Sequence, residues 1–281
     1  MTDLHRSSRA RGRLIRVAIW VVLALAAVTV LAGTGLWFKQ ERLLFKPVVL
    51  SADTVLATAP DTHEVSVPVD GATLSALHLK REGAKGLVFF LHGNAGNLQS
   101  WFVNTDFYRQ ANFDLFMVDY RGYGKSTGDV ASEAQLRADV RTAYAMVGPQ
   151  YAGRKVVVYG RSLGSGLAAG LAQDTQFRPP DLTVLVSPYS SLVALTAEVY
   201  PLVPEFMIRY PLRTDRLVGQ ISSPLLLFHG AADTFIAPSH SAVLKAIAPQ
   251  AELVLVPGAG HNDLQNFPVY RARLAAALSA L

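Results

Sequence analysis

The sequence predicts an α/β fold: a mostly parallel, doubly wound sheet with helices on both faces and antiparallel strands at its start. Three observations carry this. Six short, continuously apolar runs lie between residues 87 and 258: "LVFFLHG", "FDLFMVDY", "KVVVYG", "LTVLVSP", "PLLLFHG" and "ELVLVPG". Continuous rather than alternating runs suit strands buried on both faces of a parallel sheet. Between them lie helix-like segments such as "SEAQLRADVRTAYAMV" and "SHSAVLKAIA", giving the strand–helix alternation of a doubly wound sheet. Ahead of them, "HEVSVPVDGATLSALHLKRE" alternates about Asp70-Gly71, the signature of an antiparallel hairpin.

The chain begins with a basic leader, residues 1–16, which holds Arg6, Arg9, Arg11, Arg13 and Arg16 against Asp3. That segment supplies most of the net charge of +5, so the remainder is close to neutral. A neutral body with no basic stripe argues against nucleic acid as a partner. Residues 17–38, "VAIWVVLALAAVTVLAGTGLWF", carry no charge. As a helix they would span roughly 33 Å, enough for a hydrocarbon core. Trp20 and Trp37 stand near the two ends, where amphipathic rings favour the interface. A transmembrane anchor is the leading expectation. A cleavable signal peptide competes with it, although the apolar run exceeds the usual length of such a region. The arginine excess before the span places the N-terminus in the cytoplasm and the rest of the chain beyond the membrane, periplasmic in a Gram-negative bacterium. Residues 39–62 read as a juxtamembrane linker and 63–281 as the α/β domain, in which an irregular insertion over 188–223 forms a small cap. The chain has no cysteine, hence no disulfide framework and no thiolate chemistry.

In an open sheet of this kind, ligands bind beyond the C-terminal ends of the strands, so chemistry is sought in the turns there. Gly160-Arg161-Ser162-Leu163-Gly164 matches G-x-S-x-G, placed between a β-branched run and an Ala/Leu/Gly-rich helix pattern. This is the context of a nucleophile elbow, a strained turn whose glycines make room for the neighbouring helix and strand. A serine hydroxyl needs a base to take its proton, and the base needs a third group to hold it. Asp233 follows the strand "LLLFHG" and His261 follows the last strand, so the order Ser, Asp, His is the one this elbow requires. Asp215, Asp263, His229 and His240 fit those roles less well. An oxyanion needs fixed N–H donors. Leu163, directly after the serine, is one candidate and Asn94 in "LHGNAGN" the other, with His92 beside it as a packed turn residue. Gly124-Lys125-Ser126 imitates the end of a phosphate-binding loop, but Asp119 stands where its first glycine belongs. Asp119 and Arg121 instead brace the turn beneath the site, and Asp139 is a buried helix aspartate.

With these residues in place, the sequence resembles the α/β-hydrolase superfamily. It is most similar to the single-pass, membrane-anchored serine hydrolases of the abhydrolase-domain group, which includes protein depalmitoylases and lysophospholipid lipases. The resemblance is carried by "RLLFKP", "LHGNAGN", "DYRGYGKSTG", "GRSLGSG", "SPYSSL", "HGAADTFI" and "GAGHNDL", across roughly residues 40–281. It implies a Ser162–His261–Asp233 triad with Asn94 and Leu163 as the oxyanion hole, and no need for a metal or organic cofactor. The oxyanion loop reads His-Gly-Asn-Ala instead of the His-Gly-Gly-Gly of many lipases. Within the cap, Tyr200, Phe206 and Met207, together with Tyr189, are the candidate substrate contacts; packing of the cap on the sheet explains such residues equally well. The expected partners are a small-molecule or lipid acyl substrate and the membrane. A carboxylesterase or thioesterase leads, with a peptidase of the same fold and a non-catalytic, membrane-tethered binding module as alternatives. Oligomeric state is left open.

Overall fold

The computed structural model describes the backbone of residues 2–281 and the side chains of residues 13–31 and 33–281. Arg6, Arg9 and Arg11 of the basic leader, and Asp3, lie outside the described side chains. The chain divides into two units, Met1–Leu43 and Leu44–Leu281. In the first, one long helix, α1 (Thr2–Leu44), contains the apolar segment Arg13–Leu44, long and apolar enough to cross a membrane.

The second unit holds an eight-stranded sheet built from β1 (Thr62–Val69), β2 (Ala72–Leu79), β3 (Gly86–Leu91), β4 (Phe113–Val118), β5 (Lys155–Arg161), β6 (Leu182–Val186), β7 (Leu225–Gly230) and β8 (Glu252–Val256). The spatial order is β1-β2-β4-β3-β5-β6-β7-β8. The hairpin β1–β2 and the pair β2–β4 are antiparallel, and every other pairing is parallel. All six apolar runs are strands, and the Asp70-Gly71 turn closes the hairpin with Gly71 at positive φ.

Buried apolar residues explain why the inner strands show no alternation. Along β5, Val156 and Val158 enter one core while Val157 and Tyr159 enter the other. Along β3, Leu87, Phe89 and Leu91 face the first core and Val88 and Phe90 the second. A strand buried on both sides has no polar face to show. The principal covering helices are α2 (Thr105–Gln110), α3 (Glu133–Val147), α4 (Leu163–Ala172), α6 (Ser239–Ile247) and α7 (Pro268–Ser279), with α5 (Leu192–Val199) in the cap. Since β3 lies between β4 and β5, the chain leaves β3 for one side and returns on the other. That reversal opens a crevice between the loops after β3 and β5, where ligands bind in such sheets.

The segment read as a linker over 39–62 differs from that expectation. Phe45 is buried and packs edge-on against Tyr210 of the cap, with ring centroids 5.2 Å apart. Lys46 and Pro47 pair in parallel with Ala95 and Gly96, and the Leu50 N–H donates to the Gly124 carbonyl. The physical reason is that Leu44 and Phe45 supply side chains to the core and "KP" supplies edge pairing, so the compact unit begins at Leu44 instead of 63.

Candidate active site

β5 ends at Arg161 and α4 begins at Leu163, so Ser162 alone turns the chain. It does so at φ +51° and ψ −119°, a conformation that non-glycine residues rarely adopt. The Ser162 N–H donates to the Val186 carbonyl at 2.9 Å, which anchors the turn to the neighbouring strand end. The flanking glycines are a steric requirement. A Cβ on Gly160 would collide with the Gly164 carbonyl and lie 2.6 Å from the Ala168 Cβ; one on Gly164 would collide with the Leu91 carbonyl at the end of β3. Backbone atoms cannot swing aside as a flexible side chain can. Gly164→Ala is therefore expected to destabilise the fold by ~3 kcal/mol or more, lowering Tm by roughly 6–12 °C in a domain of this size. Thermal unfolding of the full chain checks this, and an unchanged Tm would contradict the packing described.

Ser162 Oγ lies 3.0 Å from His261 Nε2, and His261 Nδ1 lies 2.8 Å from Asp233 Oδ2. With Asp233 ionised, Nδ1–H donates to the carboxylate and Nε2 is left to accept the serine proton. The other carboxylate oxygen, Oδ1, accepts the N–H groups of Phe235 (2.9 Å) and Ile236 (2.8 Å). Burial alone would raise the Asp233 pKa. The hydrogen bonds from His229, His261 and Ile236 outweigh it and hold the carboxyl well below the usual carboxylate range. The arrangement is that of a base oriented by a buried anion, able to activate the hydroxyl it touches.

His229 is a supporting residue that the sequence reading left at its strand end. It is fully buried; Nε2–H donates to the Ile236 carbonyl at 2.8 Å and stands 3.4 Å from Asp233 Oδ2, while Nδ1 accepts from the Ser241 hydroxyl. It thus fixes the loop carrying the acid from beneath. The spacing of four between His229 and Asp233 in "HGAAD" was the available signal. The remaining alternatives have structural partners: His240 binds Ser190 and stands near Glu198, Asp215 pairs with Arg213, and Asp263 accepts from the Gly260 N–H.

The loop after β3 passes directly against the serine. A Cβ on Gly93 would sit 3.6 Å from the Ser162 Cβ and only 2.9 Å from the Trp101 ring. Asn94 is pinned on several sides: its carbonyl accepts the Lys46 N–H (2.8 Å) and the Tyr123 hydroxyl (2.6 Å), and its side-chain amide donates to the Leu44 carbonyl (2.9 Å). Its own N–H has no protein acceptor among the described residues, and neither has that of Leu163 at the first position of α4. Two uncommitted N–H donors beside a hydroxyl, one at a helix N-terminus, suit a developing oxyanion. His92 is a packed turn residue as expected, buried against Tyr120 and Trp101. Asp119 and Arg121 do brace the turn; Arg121 makes a buried bidentate pair with Asp139. The tyrosines of "DYRGYG" add something the sequence reading missed, since Tyr120 and Tyr123 donate to the carbonyls of His92 and Asn94. Lys125 is occupied by Glu64 and the Thr54 carbonyl, consistent with no phosphate loop.

The candidate substrate contacts fare differently. Tyr189 is a correction: it is buried beneath the elbow, its hydroxyl donating to the Leu163 carbonyl at 3.0 Å, so it supports α4 and cannot line a pocket. Tyr200 and Phe206 are exposed, Phe206 by 81%, on the outside of the cap, and Met207 is half-buried. The large cleft beside the site lies elsewhere, among Trp101, Tyr159, Arg161 and Gln265.

A sheet in this order, with a strained serine after its fifth strand facing a histidine and a buried aspartate, defines the α/β-hydrolase class. Known proteins agree. The sequence profile of the "Serine aminopeptidase, S33" family matches residues 82–210. An uncharacterized protein of Mycobacterium tuberculosis is 30% identical over 255 residues, covering 88% of this chain and 89% of that protein. Alpha/beta hydrolase domain-containing protein 17C of Xenopus tropicalis is 29% identical over 198 residues, covering 68% of this chain and 61% of that one. Among solved structures, the esterase Pf2001 of Pyrococcus furiosus superposes with a TM-score of 0.66 at 19% identity, covering 84% of this chain and 97% of that one. The chain belongs to the abhydrolase-domain group of the α/β hydrolases.

Proposed function

We propose that this protein is a membrane-anchored serine hydrolase that cleaves carboxylic ester or thioester bonds of acyl substrates. The observation that supports it best is the continuous chain of contacts Ser162 Oγ–His261 Nε2 and His261 Nδ1–Asp233 Oδ2, at 3.0 and 2.8 Å. Ser162 Oγ attacks the acyl carbonyl as His261 takes its proton, and the N–H groups of Asn94 and Leu163 receive the oxyanion. Collapse breaks the bond from the acyl carbon to the leaving oxygen or sulfur, and His261 gives the proton to that atom. Water, deprotonated by His261, then attacks the acyl-serine, and the carboxylic acid leaves as Ser162 regains its proton.

Lipophilic substrates are favoured by the apolar segment Arg13–Leu44, read as an anchor with its N-terminus in the cytoplasm. They are also favoured by the exposed apolar tip of the cap, with Val199, Tyr200, Leu202 and Phe206. Hydrolysis of a p-nitrophenyl ester ladder, from acetate to palmitate, by the full chain in detergent is the test. Serine-dependent turnover that rises beyond acetate is expected. No turnover of any ester by a folded protein that also refuses a fluorophosphonate probe would overturn the reading. The family profile's name favours a second one, amide cleavage, and faster turnover of aminoacyl p-nitroanilides than of esters would select it.

A further inference from the structure

Arg161, the residue before the serine, is a half-buried cation with two hydrogen bonds: Nη1 to Gln265 Oε1 and Nη2 to the His261 carbonyl, both 3.0 Å. A guanidinium has five N–H donors, so three remain. Among the described residues no carboxylate lies within ion-pair distance of it. Its Cζ stands over the Trp101 ring, 5.5 Å from the centroid, and the residue lines an open cleft of about 690 Å³. That volume is within the range of ligand pockets.

The cleft lies next to the candidate active site. Three of its lining residues, Ala95, Arg161 and Asn262, are the chain neighbours of Asn94, Ser162 and His261. Its floor is aromatic, including Trp101, Phe107 and Tyr159. Its charged lining is unbalanced. Asp106 is held by Arg109 at 2.8 Å, whereas Arg271, exposed on α7, has no ion pair among the described residues. A cation kept partly out of water without a counter-ion is costly unless something supplies one. Arginine's fork matches the oxygens of a carboxylate or phosphate.

We propose that this cleft binds an anionic oxygen group, phosphate or carboxylate, carried by the ester substrate, with Arg161 as its anchor and Arg271 beside it. The inference rests on the serine-hydrolase reading and deepens it: esters with a charged end are preferred to neutral ones. Arg161 then determines specificity, in addition to holding the carbonyl of His261.

The test compares kcat/KM of the full chain in detergent for three short esters with one acyl group: monobutyrylglycerol, its 3-phosphate, and butyrylglycerate. Binding of glycerol 3-phosphate and of glycerate to Ser162→Ala is followed by calorimetry. At least one anionic ester is expected to exceed the neutral one about tenfold or more, as a charge-assisted bidentate contact implies. Arg161→Gln should collapse that ratio. If Arg161 only braces the histidine loop, all three rates fall in parallel and the ratio stands, which overturns the proposal. Equal rates on all three esters, with no anion binding, overturn it too. Should Arg161→Gln fail to fold, a wild-type preference that Arg271→Gln reduces supports the proposal, and one it leaves intact counts against it. Anion binding without turnover of any ester would leave the cleft assignment standing and sink the hydrolase reading instead.

Discussion

Ser162→Ala is expected to lower kcat on the best ester of the ladder by at least ~10⁴-fold while leaving the fold intact. The two halves of this expectation have separate causes. Chemically, the variant removes the hydroxyl that His261 Nε2 faces at 3.0 Å, so no acyl-enzyme can form. Residual turnover would come from the N–H donors of Asn94 and Leu163 acting on water, and such remnants are small. Structurally, alanine keeps the Cβ, and the side-chain hydroxyl of Ser162 makes no helix-capping bond. The strain of φ +51° is therefore unchanged by the substitution, and Tm should move by no more than a surface change would cause. Steady-state kinetics and thermal unfolding on the same preparation separate the two. Turnover within tenfold of wild type would remove Ser162 from the mechanism. A collapsed Tm would show that the hydroxyl holds the fold, contrary to its contacts.

Much of this was legible in the sequence because the decisive requirements are local. The glycines on either side of Ser162 are dictated by atoms a few residues away or on the adjacent strand, and a five-residue pattern can encode that. Strands buried on both faces likewise advertise themselves as unbroken apolar runs. The cap was not legible in the same way. An aromatic side chain serves equally well beneath a helix, on a pocket wall or on an exposed surface, so "SPYSSL" gave no hint that Tyr189 lies under α4 while Phe206 points outward. "RLLFKP" was visible as one of the stretches that carry the resemblance, but its task of clamping Asn94 through the Lys46 N–H joins residues 48 positions apart in sequence. His229 and Arg161 were hidden for a related reason. Each touches a candidate catalytic residue, His229 at the Asp233 carboxylate and Arg161 at the His261 carbonyl, and only the folded chain shows those contacts.

Asp233→Asn gives the second large effect: a fall in kcat of ~10⁴-fold, on the scale known for removing the charge behind a catalytic histidine. The surroundings of Asp233 make the outcome more definite than loss of charge alone. Its Oδ1 accepts two backbone N–H groups, from Phe235 and Ile236. An amide in that place must keep its oxygen there, since its NH₂ would meet two other donors. The NH₂ then occupies the position of Oδ2, 2.8 Å from His261 Nδ1 and 3.4 Å from His229 Nε2. A donor facing Nδ1 forces that nitrogen to accept, which puts the ring proton on Nε2, toward Ser162. Nε2 then donates where it should accept, and the serine keeps its proton. The same carboxylate gives a stability signature with a definite sign. Its folded pKa lies below the unfolded value, so its contribution is present above the ordinary carboxylate range and is lost as pH falls through the folded pKa. Wild type should therefore exceed Asp233→Asn in Tm at pH 7, and the gap should narrow as the solution is taken below about pH 4. A gap that widens on acidification would mean that Asp233 is protonated in the native state, and with that the orientation assigned to His261 would fail.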